Sequence, residues 1–485
     1  MSKIKVWLAS SEVAPFAKTG GLADVAGSLP KALKNLGVDI RVVMPKYCQI
    51  DSQFVSKMEF VGSCQIDLSW RKQYCGVYKL DYEGITFYFI DNEYYFFRDE
   101  YYGLSDDGER FSFFCKAILE VLPLIGFQPD ILHLNDWQTG MVSLLLDANY
   151  RHRESGFYKN MHTLFTIHNL KYQGVFPKSI MKDYLGLDWK FFHENGVKYY
   201  DQVNFLKAGL SYSSALSTVS HTYANEIKCD FYGENLQNII RRRSNDMYGI
   251  INGIDFEHND PKTDPKIYAH FDQMDLSGKY ENKRRLQEDL GLEIRADIPM
   301  MSLISRLVDQ KGLDLIEMML SELVEMGLQF VVLGSGDRRY EDLFRYAQKR
   351  YPGKISANIK YDGVMAQRIY AASDMLLMPS LYEPCGLSQI FSMRYGTVPI
   401  VRETGGLKDT VQPYNVFTKE GTGFSFANYN AHEMKDAVAR AIEIYQNKDE
   451  WESLIRNCMN QDFSWESSAQ EYKNLYQTLL ERFNS

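Results

Sequence analysis

Short apolar runs rich in β-branched residues alternate with longer segments of helical spacing along the whole chain, and no other feature constrains its fold as strongly. Repeated strand–helix units of this kind build parallel sheets. In the first half the strand candidates cover residues 6–9, 39–44, 131–134, 163–167 and 215–219. Their apolar residues are consecutive rather than alternating, the pattern of strands covered on both faces. After the first of them, Leu22, Val25, Ala26, Leu29, Leu33 and Leu36 recur at helical intervals and Gly37 supplies a stop. The pattern restarts with strands over 301–304, 330–333, 355–360, 375–378 and 398–401, separated by helical stretches such as 313–326 and 342–350. Between the halves, Asn252-Gly253-Ile254-Asp255 and the polar stretch from His258 to Pro265 have the composition of a hinge. A chain of 485 residues with 45% hydrophobic content supports two cores. The expected organisation is two α/β domains, 1–250 and 251–464.

The formal charge of −9 disfavours a long polyanion, so no nucleic-acid partner is expected. Arg241-Arg242-Arg243, flanked by Asn238 and Ser244, reads as a solvated helix face. Seven cysteines without a Cys-x-x-Cys pair read as reduced thiols of a cytoplasmic protein. The start Met1-Ser2-Lys3-Ile4-Lys5 does not read as a signal peptide, and no run approaches the ~20 apolar residues of a membrane span.

Open parallel sheets bind ligands beyond the C-terminal ends of their strands, so the residues just past each strand matter most. Five such edges carry reactive or charged side chains: Lys18-Thr19-Gly20-Gly21, His133 to Asp136, His168-Asn169, Arg306 with Lys311, and Glu383 to Gly386. A lysine and two glycines at a strand-to-helix turn let backbone N–H groups approach an anion, with the helix N-terminus adding partial positive charge. Taken alone, a Gly-Gly turn is ordinarily only a turn. Gly334-Ser335-Gly336 follows a strand, but Arg339 stands where a dinucleotide fingerprint needs its third glycine, and no Walker A loop occurs. There is no His-Glu-x-x-His, no Asp-x-Asp and no Gly-x-Ser-x-Gly elbow. His133 and His168 both stand at strand ends as ligand candidates, against the ordinary reading of a lone histidine as structural.

What remains suits a diphosphate: Lys18 from the first half, Arg306 and Lys311 from the second, with Lys311-Gly312 opening a helix. Two cations can stand in for a metal; one charge pair at ~4 Å and an effective dielectric of ~20 is worth about 4 kcal/mol before desolvation. Glu383 suits hydrogen bonds to sugar hydroxyls or charge developing at an anomeric carbon; its alternative is a helix N-terminal acid. Two domains presenting these edges to each other would share one cleft.

These residues fall in seven blocks that resemble, in order, the bacterial-type glycogen synthases and plant starch synthases. The blocks are Lys18-Thr19-Gly20-Gly21-Leu22-Ala23-Asp24-Val25, Asn135-Asp136-Trp137-Gln138, Thr166-Ile167-His168-Asn169, Asn252-Gly253-Ile254-Asp255, Ser305-Arg306-Leu307 with Lys311-Gly312, Glu383-Pro384-Cys385-Gly386-Leu387 and Thr404-Gly405-Gly406-Leu407. The resemblance covers nearly the whole chain. It implies the GT-B architecture, two Rossmann-like domains with parallel sheets facing a central cleft, and a C-terminal helix over 465–485 that packs back on the first domain. It also implies transfer of glucose from ADP-glucose to the non-reducing 4-hydroxyl of glycogen or a maltooligosaccharide, with retention and release of ADP, and with neither metal nor cofactor.

Carried over residue by residue, the family pattern sets Lys18 beside the diphosphate and sugar, with Gly20, Gly21 and Asp24 in the same substrate-binding loop. Arg306 and Lys311 hold the phosphates, and Glu383 meets the donor glucose in a pocket lined by Cys385, Gly386 and Leu387. Thr404 and Gly405 also bind substrate. Asp136, His168 and Asn169 approach the donor sugar from the first domain, and Asn252 lies close to the hinge. Retention admits a covalent intermediate or a same-face substitution in which the leaving diphosphate helps deprotonate the acceptor; the cationic cluster and the lack of an assigned nucleophile favour the second. The chain departs from the family at Asn135, where a second histidine is frequent, at Ser388, where threonine is common, and at Phe391, where related retaining transferases carry a second glutamate. Competing readings are a related transferase using UDP-glucose or a smaller acceptor, and a non-catalytic sensor of glucan or nucleotide sugar.

Overall fold

The structure, a computed structural model, describes residues 3–484; Met1, Ser2 and Ser485, which the readings of the chain start and C-terminal helix include, lie outside the described residues. The chain forms two compact units, Met1–Gly253 with Trp465–Ser485, and Ile254–Ser464.

Unit 1 is built on a sheet of strands β1 (Lys5–Ala9), β2 (Asp39–Pro45), β3 (Glu59–Leu68), β4 (Arg71–Tyr82), β5 (Ile85–Asp91), β6 (Ile131–Asn135) and β7 (His162–Ile167). Three short strands, β8 (Val175–Pro177), β9 (Lys198–Tyr199) and β10 (Gln202–Asn204), form a separate antiparallel patch before β11 (Ala215–Thr218) and β12 (Met247–Gly249) complete the main sheet. Its order is β12-β11-β7-β6-β1-β2-β5-β4-β3. Every neighbour from β12 to β5 is parallel, and β4 runs antiparallel to both β5 and β3. All five residues of β6 are buried, which is why its apolar residues run together. Along β3, by contrast, buried Ile66 and Leu68 alternate with exposed Gln65 and Asp67. The C-terminal helix Trp465–Asn484 packs on the helix Gly21–Asn35 within the same unit, and Lys473 Nζ donates to the Leu36 carbonyl at 2.9 Å.

Unit 2 carries a wholly parallel sheet of β13 (Met300–Ile304), β14 (Gln329–Leu333), β15 (Ile355–Asn358), β16 (Met375–Met378), β17 (Val398–Arg402) and β18 (Phe424–Phe426), in the order β15-β14-β13-β16-β17-β18. Ile254 and Ser464, the two ends of this unit, pair as a parallel bridge.

In both units the chain builds outward from its first strand on one side, then returns to build on the other. The reversal falls between β1 and β6 in unit 1 and between β13 and β16 in unit 2. At such a switch point the flanking loops leave toward opposite faces and a ligand crevice opens at the strand ends. The loops after β13 and β16 touch backbone to backbone where Leu381 N donates to Gln310 O at 2.9 Å, and the Gln310 side chain donates through Nε2 to Tyr382 O at 3.3 Å. Gly312 permits this approach. Its φ is +70°, and a Cβ there would lie 2.0 Å from the Pro379 carbonyl oxygen. Gly334 has a similar duty, since its Cβ would stand 1.9 Å from Ser305 O, so packing explains a glycine that superficially suggests a dinucleotide loop.

Gly312→Ala is expected to lower the unfolding free energy by about 2–4 kcal/mol, because the left-handed backbone is strained for alanine and the new methyl must displace the Pro379 carbonyl. Gly291→Ala, at φ +65° with nothing within 4 Å of a Cβ, meets only the first penalty. Urea denaturation of the two variants side by side measures the difference.

Candidate active site

At the unit 2 switch point Lys311 ends a 3₁₀ turn, Asp309–Lys311, and Gly312 caps the helix Leu313–Glu325 that follows. Lys311 Nζ lies 2.6 Å from Glu383 Oε2, with side chains 16% and 8% exposed. Ser380 Oγ donates to the same oxygen at 3.1 Å. The next helix begins only at Ser388, so Glu383 is not the helix N-terminal acid of the alternative reading. Its loop is fixed from behind. Arg402, at the end of β17, donates to the Leu381 carbonyl at 2.7 Å, and Gly406 N donates to the Glu383 carbonyl at 3.1 Å. Gly405 lies against that carbonyl so closely that a Cβ would stand 1.9 Å from it. Gly386, at φ +70°, would place a Cβ 3.1 Å from Glu383 Cγ. Thr404 caps the helix Gly405–Thr410, Cys385 is buried, and Leu387 caps the helix Ser388–Arg394. Arg306, just past β13, is exposed at the same edge. The structure therefore brings Lys311, Glu383, Gly386 and Gly405 into one cluster, which Gly405 serves by its close approach to the Glu383 carbonyl.

At the unit 1 switch point Asp136 caps the turn after β6 with φ +56° and ψ −177°, a conformation that a non-glycine residue rarely adopts. Its Oδ1 accepts from His168 N at 2.7 Å. Burial pushes the Asp136 carboxyl up to about 7; the backbone N–H groups of His168 and Asn169 oppose this, and the nearby Glu12 charge adds to it. Asn135, also at the end of β6, donates through Nδ2 to Ala9 O at 3.0 Å, which leaves its Oδ1 to accept from His168 Nε2 at 2.9 Å. His168 therefore carries its proton on Nε2 and exposes Nδ1 as an acceptor, and burial holds its pKa down at about 3, keeping the ring neutral. Asn135 thus acts as a ring-orienting group where the family often has histidine. Asn169 turns its Oδ1 to Lys171 N at 3.1 Å.

Two expectations are corrected here. His133 is no ligand candidate: Nδ1 faces the Tyr476 hydroxyl at 2.7 Å and Nε2 the Thr166 hydroxyl at 2.8 Å, so both ring nitrogens are engaged and the side chain is buried. The Lys18 loop, for its part, does not offer all its N–H groups to an external anion. Glu12, buried just past β1, accepts from Thr19 N, from Thr19 Oγ1 at 2.7 Å and from Gly20 N at 3.3 Å, while the Tyr102 hydroxyl donates to it at 2.8 Å. An internal carboxylate occupies part of the cradle and thereby sets the loop's shape. Lys18 pairs with Asp24 at 2.7 Å on the surface. A Cβ on Gly20 or Gly21 would meet nothing within 4 Å among the described residues, so the chain's own packing demands glycine at neither position. Asn252 is buried, and its Oδ1 has no hydrogen-bond partner among the described residues. Glu12 and Arg402 belong to no recognisable spacing pattern; only their positions, shortly after β1 and at the end of β17, could have singled them out.

Among the described residues no group of three or more His, Cys, Asp or Glu side chains is arranged to hold a metal ion. Nor is any described helix long and apolar enough to cross a membrane. Arg241 pairs with Asp230 on the surface, whereas Arg243 reaches the carbonyls of Leu210 and Ser213.

Known proteins resemble this chain over nearly its whole length. The family described as "Starch synthase catalytic domain" matches residues 5–242, and "Glycosyl transferases group 1" matches residues 291–457. The chain is 51% identical to a glycogen synthase of Desulforamulus reducens over 98% of its own length and 99% of the relative's. It is 50% identical to one of Alkaliphilus metalliredigens, covering 98% of this chain and 100% of that one. Among solved structures, the catalytic domain of starch synthase IV from Arabidopsis thaliana, bound to ADP and acarbose, superposes with a TM-score of 0.91 at 34% identity, covering 99% of this chain and 100% of the other. With its two Rossmann-like sheets of GT-B type, the chain belongs to the glycogen synthase family of glycosyltransferases.

Proposed function

We propose that the enzyme transfers glucose from ADP-glucose to the non-reducing 4-hydroxyl of an α-1,4-glucan, glycogen or a maltooligosaccharide, with retention of the anomeric configuration and release of ADP. The observation that carries this reading is the Lys311–Glu383 pair at a sheet switch point, with exposed Arg306 just past β13 at the same sheet edge. It combines two cations for a leaving diphosphate with a carboxylate for the sugar. An ammonium has three donors, so Lys311 can keep its bond to Glu383 while donating to a phosphate oxygen. Glu383 Oε1 is then available to a sugar hydroxyl. Binding of ADP by the starch synthase relative supports an adenosine diphosphate leaving group here.

In unit 1, Glu12 holds the loop that carries Lys18, Gly20 and Gly21 in one shape, and the open space over both glycines suits a close ligand approach. His168 presents a neutral acceptor nitrogen, and ionised Asp136 accepts from a sugar hydroxyl. Asn252 supplies a buried carbonyl oxygen with unused acceptor capacity. Same-face substitution fits this set. The cations stabilise negative charge on the departing phosphate, and that oxygen takes the proton of the incoming 4-hydroxyl. A cytoplasmic setting accords with seven cysteines that are all free.

Mixing the purified protein with ADP-glucose and a maltooligosaccharide should release ADP and lengthen the glucan through an α-linkage, read by coupled assay and NMR. Faster elongation with UDP-glucose would overturn the donor assignment, and no transfer from either donor would overturn the catalytic reading. Glu383→Gln is expected to lower kcat about 10²-fold while KM for the donor moves less than about tenfold. Lys311→Ala should lower kcat/KM by roughly 10²–10³-fold and, by leaving Glu383 buried without its cation, cost about 3 kcal/mol of stability. The double variant should regain stability but not activity, which thermal melts run beside initial rates would reveal.

Asp136 gives a pH signature. Its carboxyl ionises near 3.8 in the unfolded chain and near 7 in the folded one. Between these values the folded state retains a proton that the unfolded state has lost, so stability falls progressively over that window and the loss is complete above it. Asp136→Asn should therefore stabilise the protein at pH 8 by about 2–4 kcal/mol, leave it nearly unchanged at pH 4, and abolish the rise of kcat/KM with pH centred near 7. Denaturant melts at both pH values and a pH–rate profile check the pair of effects.

A further inference from the structure

Outside the catalytic machinery, two thiols face each other across adjacent strands. Cys64 of β3 and Cys75 of β4 are directly opposed in the antiparallel ladder. Opposed residues of an antiparallel pair have Cα atoms about 4.5–5.5 Å apart and side chains on the same face, within the ~4.4–6.8 Å that a disulfide spans. Here that face is the inner one. Cys64 shares it with buried Ile66 and Leu68, and the helix Asp107–Leu124 lies across it, with Leu124 against Gly62. The two sulfurs differ in access: Cys75 is fully buried, Cys64 only half-buried, and both are free.

We propose that Cys64 and Cys75 form a thiol pair that small-molecule disulfides oxidise to a reversible cross-strand disulfide. The Cys64 thiolate attacks one sulfur of the oxidant, forming a mixed disulfide and expelling one thiolate. Cys75 then loses its proton and attacks Cys64 Sγ, expelling the second thiolate, and the two protons end on the two expelled thiols. Two electrons pass from the protein to the oxidant, and atoms balance. The order follows from access, since only Cys64 can meet the oxidant and only Cys75 lies within reach of Cys64. The electrostatics agree with it: a hydrogen bond from the Cys75 thiol draws the Cys64 pKa below the usual thiol value, while the bond to Cys64 and burial push Cys75 up. Once Cys64 is in a mixed disulfide, that coupling is gone and Cys75 is released to act as the resolving thiol. Cys229, although exposed, has no such partner and can form only mixed disulfides.

Arg71 and Lys72 lie between the two cysteines, so trypsin separates them and a disulfide is read directly as a cross-link. Native full-length protein is incubated with oxidised glutathione, alkylated and digested without reduction. Expected is the peptide of residues 58–71 linked to that of residues 73–79 in most molecules, lost on adding dithiothreitol, with Cys115, Cys385 and Cys458 still alkylated after unfolding. In Cys75→Ser, glutathione should remain on Cys64. A wild-type digest in which Cys64 and Cys75 are both alkylated, or in which Cys64 keeps glutathione beside an alkylated Cys75, would overturn the proposal.

Discussion

A carboxylate buried at the end of a parallel strand must be faced by a cation or by N–H groups, and that requirement organises the site edges of both sheets. In unit 2 the answer is Lys311, 2.6 Å from Glu383. Neither member is dispensable, because removing one leaves the other as a buried charge at a cost of about 3–5 kcal/mol. Bringing them together requires the loops after β13 and β16 to run in backbone contact, for which Gly312 leaves room, and Gly405 lets the loop after β17 close on the Glu383 carbonyl. The ion pair, the two glycines and the strand order therefore form one device. A change in any of them moves the two charges.

Unit 1 meets the same requirement differently. Glu12 is faced by N–H and hydroxyl groups of the Lys18 loop and by Tyr102, so its burial shapes a loop rather than opposing a cation. Among the described residues Asp136 receives only backbone N–H groups, which do not offset its desolvation, and its carboxyl is pushed up to about 7. Its left-handed backbone adds strain of order 1–3 kcal/mol. Both costs fall on one residue at the switch point, and neither adds to stability.

What the sequence discloses follows the physics of each element. Strands buried on both faces show as continuous apolar runs, and β1, β6, β7, β13 and β16 stand within a residue of their sequence-predicted bounds. The antiparallel strands β3 and β4 lack that signature because one face is exposed, and their alternation is diluted by tyrosines and cysteines on both sides. Lys311 and Glu383 are legible as strand-end charges, but not as a pair, because their meeting depends on a contact between loops 72 residues apart. His133 and His168 look equivalent in the sequence, but the structure sets His133 inside β6 and His168 just past the end of β7. Tyr476, 343 residues away along the chain, then engages one ring nitrogen of His133, a contact that no local pattern discloses.

That last contact also shows why unit 1 needs both ends of the chain. Tyr476 lies on the helix Trp465–Asn484, and without it the buried His133 would lack a partner for Nδ1, a desolvation cost of about 1–3 kcal/mol. The same helix covers the helix Gly21–Asn35, which starts at the Lys18 loop, and Ser468 on it donates to Ile251 O at 2.6 Å, just before the chain enters unit 2. Unit 2 is thus an insertion whose ends, Ile254 and Ser464, are paired. Pairing those ends returns the chain beside the point where it left unit 1, so closing the loop of more than two hundred residues costs little more than forming unit 2 itself. During synthesis, unit 1 remains incomplete until the final helix emerges. The face that anchors the Lys18 helix and seals His133 is then the last part of unit 1 to form.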